Sequence, residues 1–251
     1  MKVLSVVGTR PQLVKLAPVD AALRRHGLDH LIVHTGQHYD PLLSQAFFDD
    51  LAIPPPVANL GVGSAAHPAQ TAAILAGVAG ALAAHQPDWV LVYGDTNSAL
   101  GAALAAAQLR FPSAHLEAGL RSGDRRMPEE RNRVVADHLC DLLLAPSQAA
   151  VRNLGAEGLA ARTVLTGDVM ADALAAMRAR QAADPPALPA ALRAGPFLLA
   201  TLHRAETTDD PQRLAAILAG VAEVLAAERP DWVLVYGDTN SALGAALAAA
   251  Q

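Results

Sequence analysis

Short apolar runs alternate with helix-length stretches along the first 166 of this chain's 251 residues, and few folds accept that alternation. Residues 3–7, 28–33, 89–92, 112–116, 142–145 and 163–166 read as strands, most of them rich in Val, Leu or Ile. Between them, residues 11–25, 66–85, 128–139 and 147–154 carry helical patterns, and GDTNSALGAALAA opens another helix after Gly94. Pro11 and Pro128 stand at first helical positions, where a missing N–H costs nothing. A strand–helix–strand rhythm demands a parallel sheet with helices on both faces, because parallel neighbours need a crossover between them. The Pro- and Gly-rich segment 53–64 reads as a loop.

Composition narrows the function. Hydrophobic residues make up 52%, mostly Ala, Leu and Val, and aromatics only 4%, which suits helices packed on a sheet and argues against disorder. A net charge of −5 speaks against a general nucleic-acid partner, since phosphate backbones want a positive surface. Local arginine clusters remain able to hold a small anion. The single cysteine, Cys140, leaves no disulfide framework and no cysteine metal site, and no HExxH spacing occurs, so no metal is expected. The N-terminal run is too short for a signal peptide. Apolar stretches near 99–109 and 215–227 fall short of the ~20 residues a membrane span needs, so no membrane partner is expected. These features predict a soluble, cytoplasmic protein.

Helix 169–181 is followed by ADPPALPAALRAGP, the clearest domain boundary in the chain. We expect a first domain over 1–167, a connecting helix and linker over 168–195, and a partial second domain over 196–251 with a strand at 197–201 and a helix at 211–227. Residues 230–251 duplicate 87–108 letter for letter, and AAILAGVA at 72–79 recurs at 215–222 with the same offset. Solenoid repeats diverge and recur more often. This copy has the form of a jump between two similar sequences, so Asp238 is given no catalytic role although it copies Asp95. The copied stretch still reads as a strand and a helix.

In an open α/β fold, ligands bind at the carboxyl ends of the strands. Arg10 stands where the first strand turns into a helix, a ready anion site, and Lys15 lies one helical turn further on. Taken alone, Lys15 also reads as a surface lysine. Gln37 and His38 follow the second strand, and His203 follows the strand at 197–201. Each histidine also fits a polar loop. Asp95 sits at the tip of the strand at 89–92, where it could equally cap the next helix. Glu117 sits directly behind another strand, beside Gly119, and opens a stretch in which residues 121–133 carry eight charges. Two carboxylates from separate strands at one rim suit proton transfer.

The motifs GTRPQLVKLAPV, TGQHYD, VYGDTNSALGAALAA, HLEAGLRSGDRRMPEERNR, GDVMADAL and LHRAET occur in that order. Together they resemble the non-hydrolysing UDP-N-acetylglucosamine 2-epimerases from the N-terminus to about residue 227. The resemblance implies a GT-B-like α/β fold of two Rossmann-like domains with parallel sheets, the second incomplete here. It implies a homodimeric isomerase that takes a UDP-sugar, uses no nicotinamide cofactor and supplies sugar for cell-surface polysaccharide. Asp95, Glu117, Glu129 and His203 are then the expected catalytic residues, and Arg10, Lys15, Glu130 and Arg133 the expected substrate contacts. Gln37 and His38 match a loop that regulated members use for allostery.

This chain departs from the family where it has Gln12 in place of a frequent Glu, and Thr207 in place of the Asn of HRxEN. The family's glycine-rich SGG loop and following glutamate, which grip the uridine and ribose, have no match in this sequence. The implied chemistry is elimination of UDP to a 2-acetamidoglucal, then re-addition of UDP with C2 protonated from the opposite face. Asp95, Glu117 and Glu129 would serve as acid and base, with Arg10, Lys15 and His203 on the diphosphate. Three alternatives stay open: a hydrolysing relative that releases UDP and N-acetylmannosamine, a GT-B glycosyltransferase, and a non-catalytic remnant.

Overall fold

The computed structural model describes residues 1–37, 47–183, 198–201, 210–229 and 233–236. The chain divides into two compact units, Met1–Ala182 and Ala183–Gln251. In the first, strands β1 (Lys2–Val7), β2 (Asp29–His34), β3 (Ala58–Asn59), β4 (Trp89–Tyr93), β5 (Ser113–Leu116), β6 (Leu142–Ala145) and β7 (Thr163–Leu165) form one sheet. Their order is β3-β2-β1-β4-β5-β6-β7, and every pairing is parallel. Helices α1 (Arg10–Arg25), α2 (His67–His85), α3 (Asn97–Leu109), α4 (Pro128–Leu139), α5 (Gln148–Ala156) and α6 (Val169–Ala183) complete it.

Side chains alternate across the sheet, and both faces are covered. Leu4 and Val6 of β1 join Val90 and Val92 of β4 in a core with Ile74, Val78 and Leu82 of α2 and the alanines of α3. Val7 and Tyr93 point to the other face, against Leu13 and Leu16 of α1 and Phe48 and Ile53. Burial on both sides explains why these strands are apolar along their length. The alanine content has a structural use in α3, where Ala99, Ala102, Ala103, Ala105 and Ala106 are all buried. A Cβ on Gly101 would stand 2.7 Å from Ile74 Cγ2, so small residues let α2 and α3 approach closely. Cys140 is buried in this core as a free thiol, pushed up to about 12 by burial.

Predicted and observed elements differ mainly at their ends. The segment 53–64 holds a strand that was not expected: β3 adds two residues to the sheet edge, with Val57 N donating to Ile32 O and Leu60 N to His34 O. Prolines 54–56 and its brevity hide it from pattern reading. In the second unit, β8 (Leu198–Thr201) pairs in parallel with β9 (Val233–Tyr236), and α7 (Pro211–Glu228) lies between them in sequence. Asp210 caps α7 by accepting from Gln212 N at 2.9 Å. The duplicated VLVY thus forms a parallel strand in both copies, as β4 and as β9. Asp238 and the helix expected after it lie outside the described residues. Among the described residues, no helix is long and apolar enough to cross a membrane.

Candidate active site

Strand order reverses between β1 and β4, and their carboxyl ends flank the crevice where folds of this type bind ligands. Two helices, α1 and α3, start at that rim, so their amide-rich N-termini favour an anion there. Gly8 closes β1 so tightly that a Cβ would overlap the hydroxyls of Thr35 and Ser98. Those hydroxyls are 2.8 Å apart, and Ser98 Oγ also donates to Gln37 Oε1 at 2.8 Å. Gln37 is therefore held against the start of α3. His38 lies outside the described residues, as does His203.

The first charged cluster joins α1 to the turn after β5. Lys15 Nζ pairs with Glu117 Oε2, although 102 positions separate them. Glu117 has φ of +72°, a left-handed conformation that costs a non-glycine residue about 1 kcal/mol or more. The backbone holds it there because Ala118 N donates to Leu144 O and Gly119 packs against α5. The turn after β4 lies against this cluster: a Cβ on Gly94 would stand 3.2 Å from Glu117 Oε2 and 3.4 Å from Lys15 Nζ. Arg10 is half-buried at the first position of α1.

The second cluster begins one residue later. Asp95 pairs with Arg133 of α4, whose Nη1 lies 3.7 Å from Glu130. Arg133 Nε is buried with no hydrogen-bond partner among the described residues. Asn132 Nδ2 donates to Asp95 O at 3.0 Å and to Asn97 Oδ1 at 3.1 Å, fixing α4 to the head of α3.

Glu130 has a different neighbourhood from the one expected of a substrate contact. Its oxygens accept from Ser122 N at 2.9 Å, Ser122 Oγ at 3.0 Å and Gly123 N at 3.0 Å, so it anchors the loop before α4. Burial pushes its carboxyl up, but these hydrogen bonds and Arg133 outweigh it and hold Glu130 below the usual carboxylate range. Glu129 is exposed in the first turn of α4. Among the described residues no group of three or more His, Cys, Asp or Glu is placed to hold a metal ion.

Several roles in the site were not read from sequence. Gln12 is buried and links the β1 and β4 turns. Asn97 and Asn132 join α3 to α4. His115 and Asp137 lie behind the Gly94 and Gly119 turns, bonded to each other at 2.6 Å. His115 was in view within HLEAG, but nothing along the chain marked its partner.

The two ion pairs thus stand at the switch point of a parallel α/β sheet, where folds of this class bind ligands. The profile of the UDP-N-acetylglucosamine 2-epimerase family matches residues 21–224 and again 213–251, the second match containing the duplicated segment. The chain belongs to that family. It is 44% identical over 225 residues to a UDP-N-acetylglucosamine 2-epimerase homolog of Methanococcus maripaludis, covering 89% of this chain and 63% of that one. It is 45% identical over 228 residues to the UDP-2,3-diacetamido-2,3-dideoxy-D-glucuronate 2-epimerase of Pseudomonas aeruginosa, with the same coverage. The crystal structure of the Methanocaldococcus jannaschii UDP-GlcNAc 2-epimerase, in complex with UDP-GlcNAc and UDP, superposes with a TM-score of 0.82 at 38% identity. That match covers 91% of this chain and 64% of the other. The chain thus spans about 63% of the length of the curated relatives it matches.

Proposed function

We propose that this chain carries the acid/base half of a UDP-N-acetylglucosamine 2-epimerase, interconverting UDP-GlcNAc and UDP-ManNAc. The observation that carries the proposal is the placing of Lys15–Glu117 beside Asp95–Arg133 at the switch point of the sheet. C2 of the sugar has no adjacent carbonyl to acidify its proton, so direct deprotonation is hard. Elimination avoids this: a carboxylate takes the C2 proton while the C1–O bond breaks, UDP departs with the electron pair, and C1 and C2 share a double bond. In the return step a UDP oxygen attacks C1 and a carboxylic acid delivers a proton to the other face of C2. Asp95, Glu117 and Glu129 supply the carboxyl groups. Arg10 and Lys15 stabilise the departing diphosphate, and the α1 N-terminus adds to them.

Incubating the full chain with UDP-GlcNAc in heavy water tests this. UDP-ManNAc carrying deuterium at C2 is expected, and its absence on prolonged incubation would refute the proposal. Free N-acetylmannosamine as product would select the hydrolysing reaction instead. A second substrate has a specific basis in the 45% identity to the Pseudomonas enzyme, so UDP-2,3-diacetamido-2,3-dideoxy-glucuronate belongs in the same assay. We further propose that the protein works in the cytoplasm as a homodimer, which sedimentation of the purified chain checks: a monomer mass at micromolar concentration overturns it. Gln37, tied to Ser98 at the rim, is proposed with His38 as a route by which a second UDP-sugar regulates the site.

A further inference from the structure

His115 and Asp137 are completely buried. The ring of His115 has both nitrogens engaged: Nε2 lies 2.7 Å from the Gly94 carbonyl oxygen, and Nδ1 lies 2.6 Å from Asp137 Oδ1. A carbonyl oxygen can only accept, so Nε2 carries a proton. Asp137 behaves as a carboxylate. Its second oxygen accepts from Gly119 N at 3.0 Å and pairs with Arg121 Nη1 at 2.8 Å, leaving no place for a proton there. Burial would push Asp137 toward the neutral acid, yet His115 and Arg121 hold it below its ordinary range. The contact between Nδ1 and Oδ1 therefore holds one proton that joins the two side chains, and both ring nitrogens of His115 are engaged.

A buried ion pair is costly to desolvate and is weak evidence of stabilisation by itself. What this one holds is informative. Gly94 immediately precedes Asp95, and Gly119 follows Glu117 by two residues, so the pair grips both turns that present the candidate carboxylates. Arg121 extends the grip to α5, donating to Glu157 through Nε and Nη2, each at 2.7 Å. His138 Nε2 reaches the same carboxylate at 3.3 Å.

We infer that His115 is a positioning residue: its ring, with Asp137, sets the Asp95 and Glu117 turns in register through Gly94 O and Gly119 N. The inference rests on the reading of Asp95 and Glu117 as acid/base groups, but its test does not use the reaction. In the full chain labelled with ¹⁵N-histidine, the His115 resonances, identified by their loss in His115→Gln, are expected to show a slowly exchanging proton on Nε2, the nitrogen that faces Gly94 O. A bare Nε2 would overturn the inference. Amide exchange of His115→Gln then separates positioning from bulk stability. Acceleration of roughly tenfold or more is expected in the turns at 94–97 and 117–123 while β1 and α1 keep their protection. A uniform acceleration across the sheet would reduce His115 to a structural residue. Should His115→Gln fail to fold, the remaining assignment of ring protons in the wild-type chain, by through-bond correlation to residue 115, decides alone. A failure of deuterium uptake at C2 would sink the epimerase reading and leave these observations standing, and the converse holds too.

Discussion

Gln12 uses both ends of its amide to join two turns. Its Oε1 accepts from Gly8 N at 2.8 Å and Thr9 N at 3.1 Å, while Nε2 donates to Tyr93 O at 2.7 Å and Thr96 Oγ1 at 3.0 Å. Gln12→Leu leaves these buried groups unsatisfied and is expected to cost ~1–3 kcal/mol, read as a lowered urea midpoint. Gln12→Glu keeps the acceptor for Gly8 and Thr9 but sets an oxygen against the Tyr93 carbonyl, so it too is expected to lower the midpoint. Asp95→Asn keeps shape but removes the carboxylate that pairs with Arg133. On the epimerase reading it abolishes deuterium uptake at C2 and leaves UDP binding largely intact, checked by calorimetric titration. Wild-type uptake would remove Asp95 from the mechanism. Sequence placed Asp95 and Glu117 at strand tips, and both are there; their cationic partners were out of sight because the pairs span 38 and 102 positions.

At the level of elements, the turn after β5 bears the tightest constraint. Gly119 has φ of +82°, and a Cβ there would collide with Ala150 O and Leu154. Gly119→Ala combines left-handed strain with that overlap, so a loss of ~1–3 kcal/mol is expected by chemical denaturation. The loop from Arg121 to α4 has its own pH dependence. Glu130 titrates lower in the folded chain than in the unfolded one, so its contribution is complete above the unfolded value near ~4.3. It is lost as pH falls through the lower folded value. The Ser122 and Gly123 amide shifts should therefore hold as pH drops to that range and move only below it. In Glu130→Gln the acid transition should disappear. Charge density made this loop conspicuous in the sequence, whereas the assignment of Glu130 to the loop depends on a fold-back over seven or eight residues.

For the whole molecule, the first unit has its own two-sided core and a seven-stranded sheet, while the described part of the second contributes two strands and a helix. We propose that the first unit folds independently. Residues 1–182 expressed alone should give one cooperative unfolding transition, with a near-UV spectrum that retains the buried Tyr93; a non-cooperative melt would show dependence on the second unit. The duplicated segment makes a further point at this scale. One amino-acid string forms a strand against β1 in the first unit and against β8 in the second, so its local preference is strong and its partner is chosen by context.

The sequence by itself determined the element types, the parallel α/β class, the family, and which strand tips hold carboxylates. Hydrophobic period, turn residues and helix-start prolines all act over a few positions, so they can be read along the chain. The tertiary structure alone decided the strand order that makes β1 and β4 the switch point and the addition of β3 to the edge. It also decided the pairing of Lys15 with Glu117 and Asp95 with Arg133, and the burial of His115 against Asp137 behind both turns. These depend on groups brought together from distant positions, where packing and desolvation choose the partner and no local pattern records the choice.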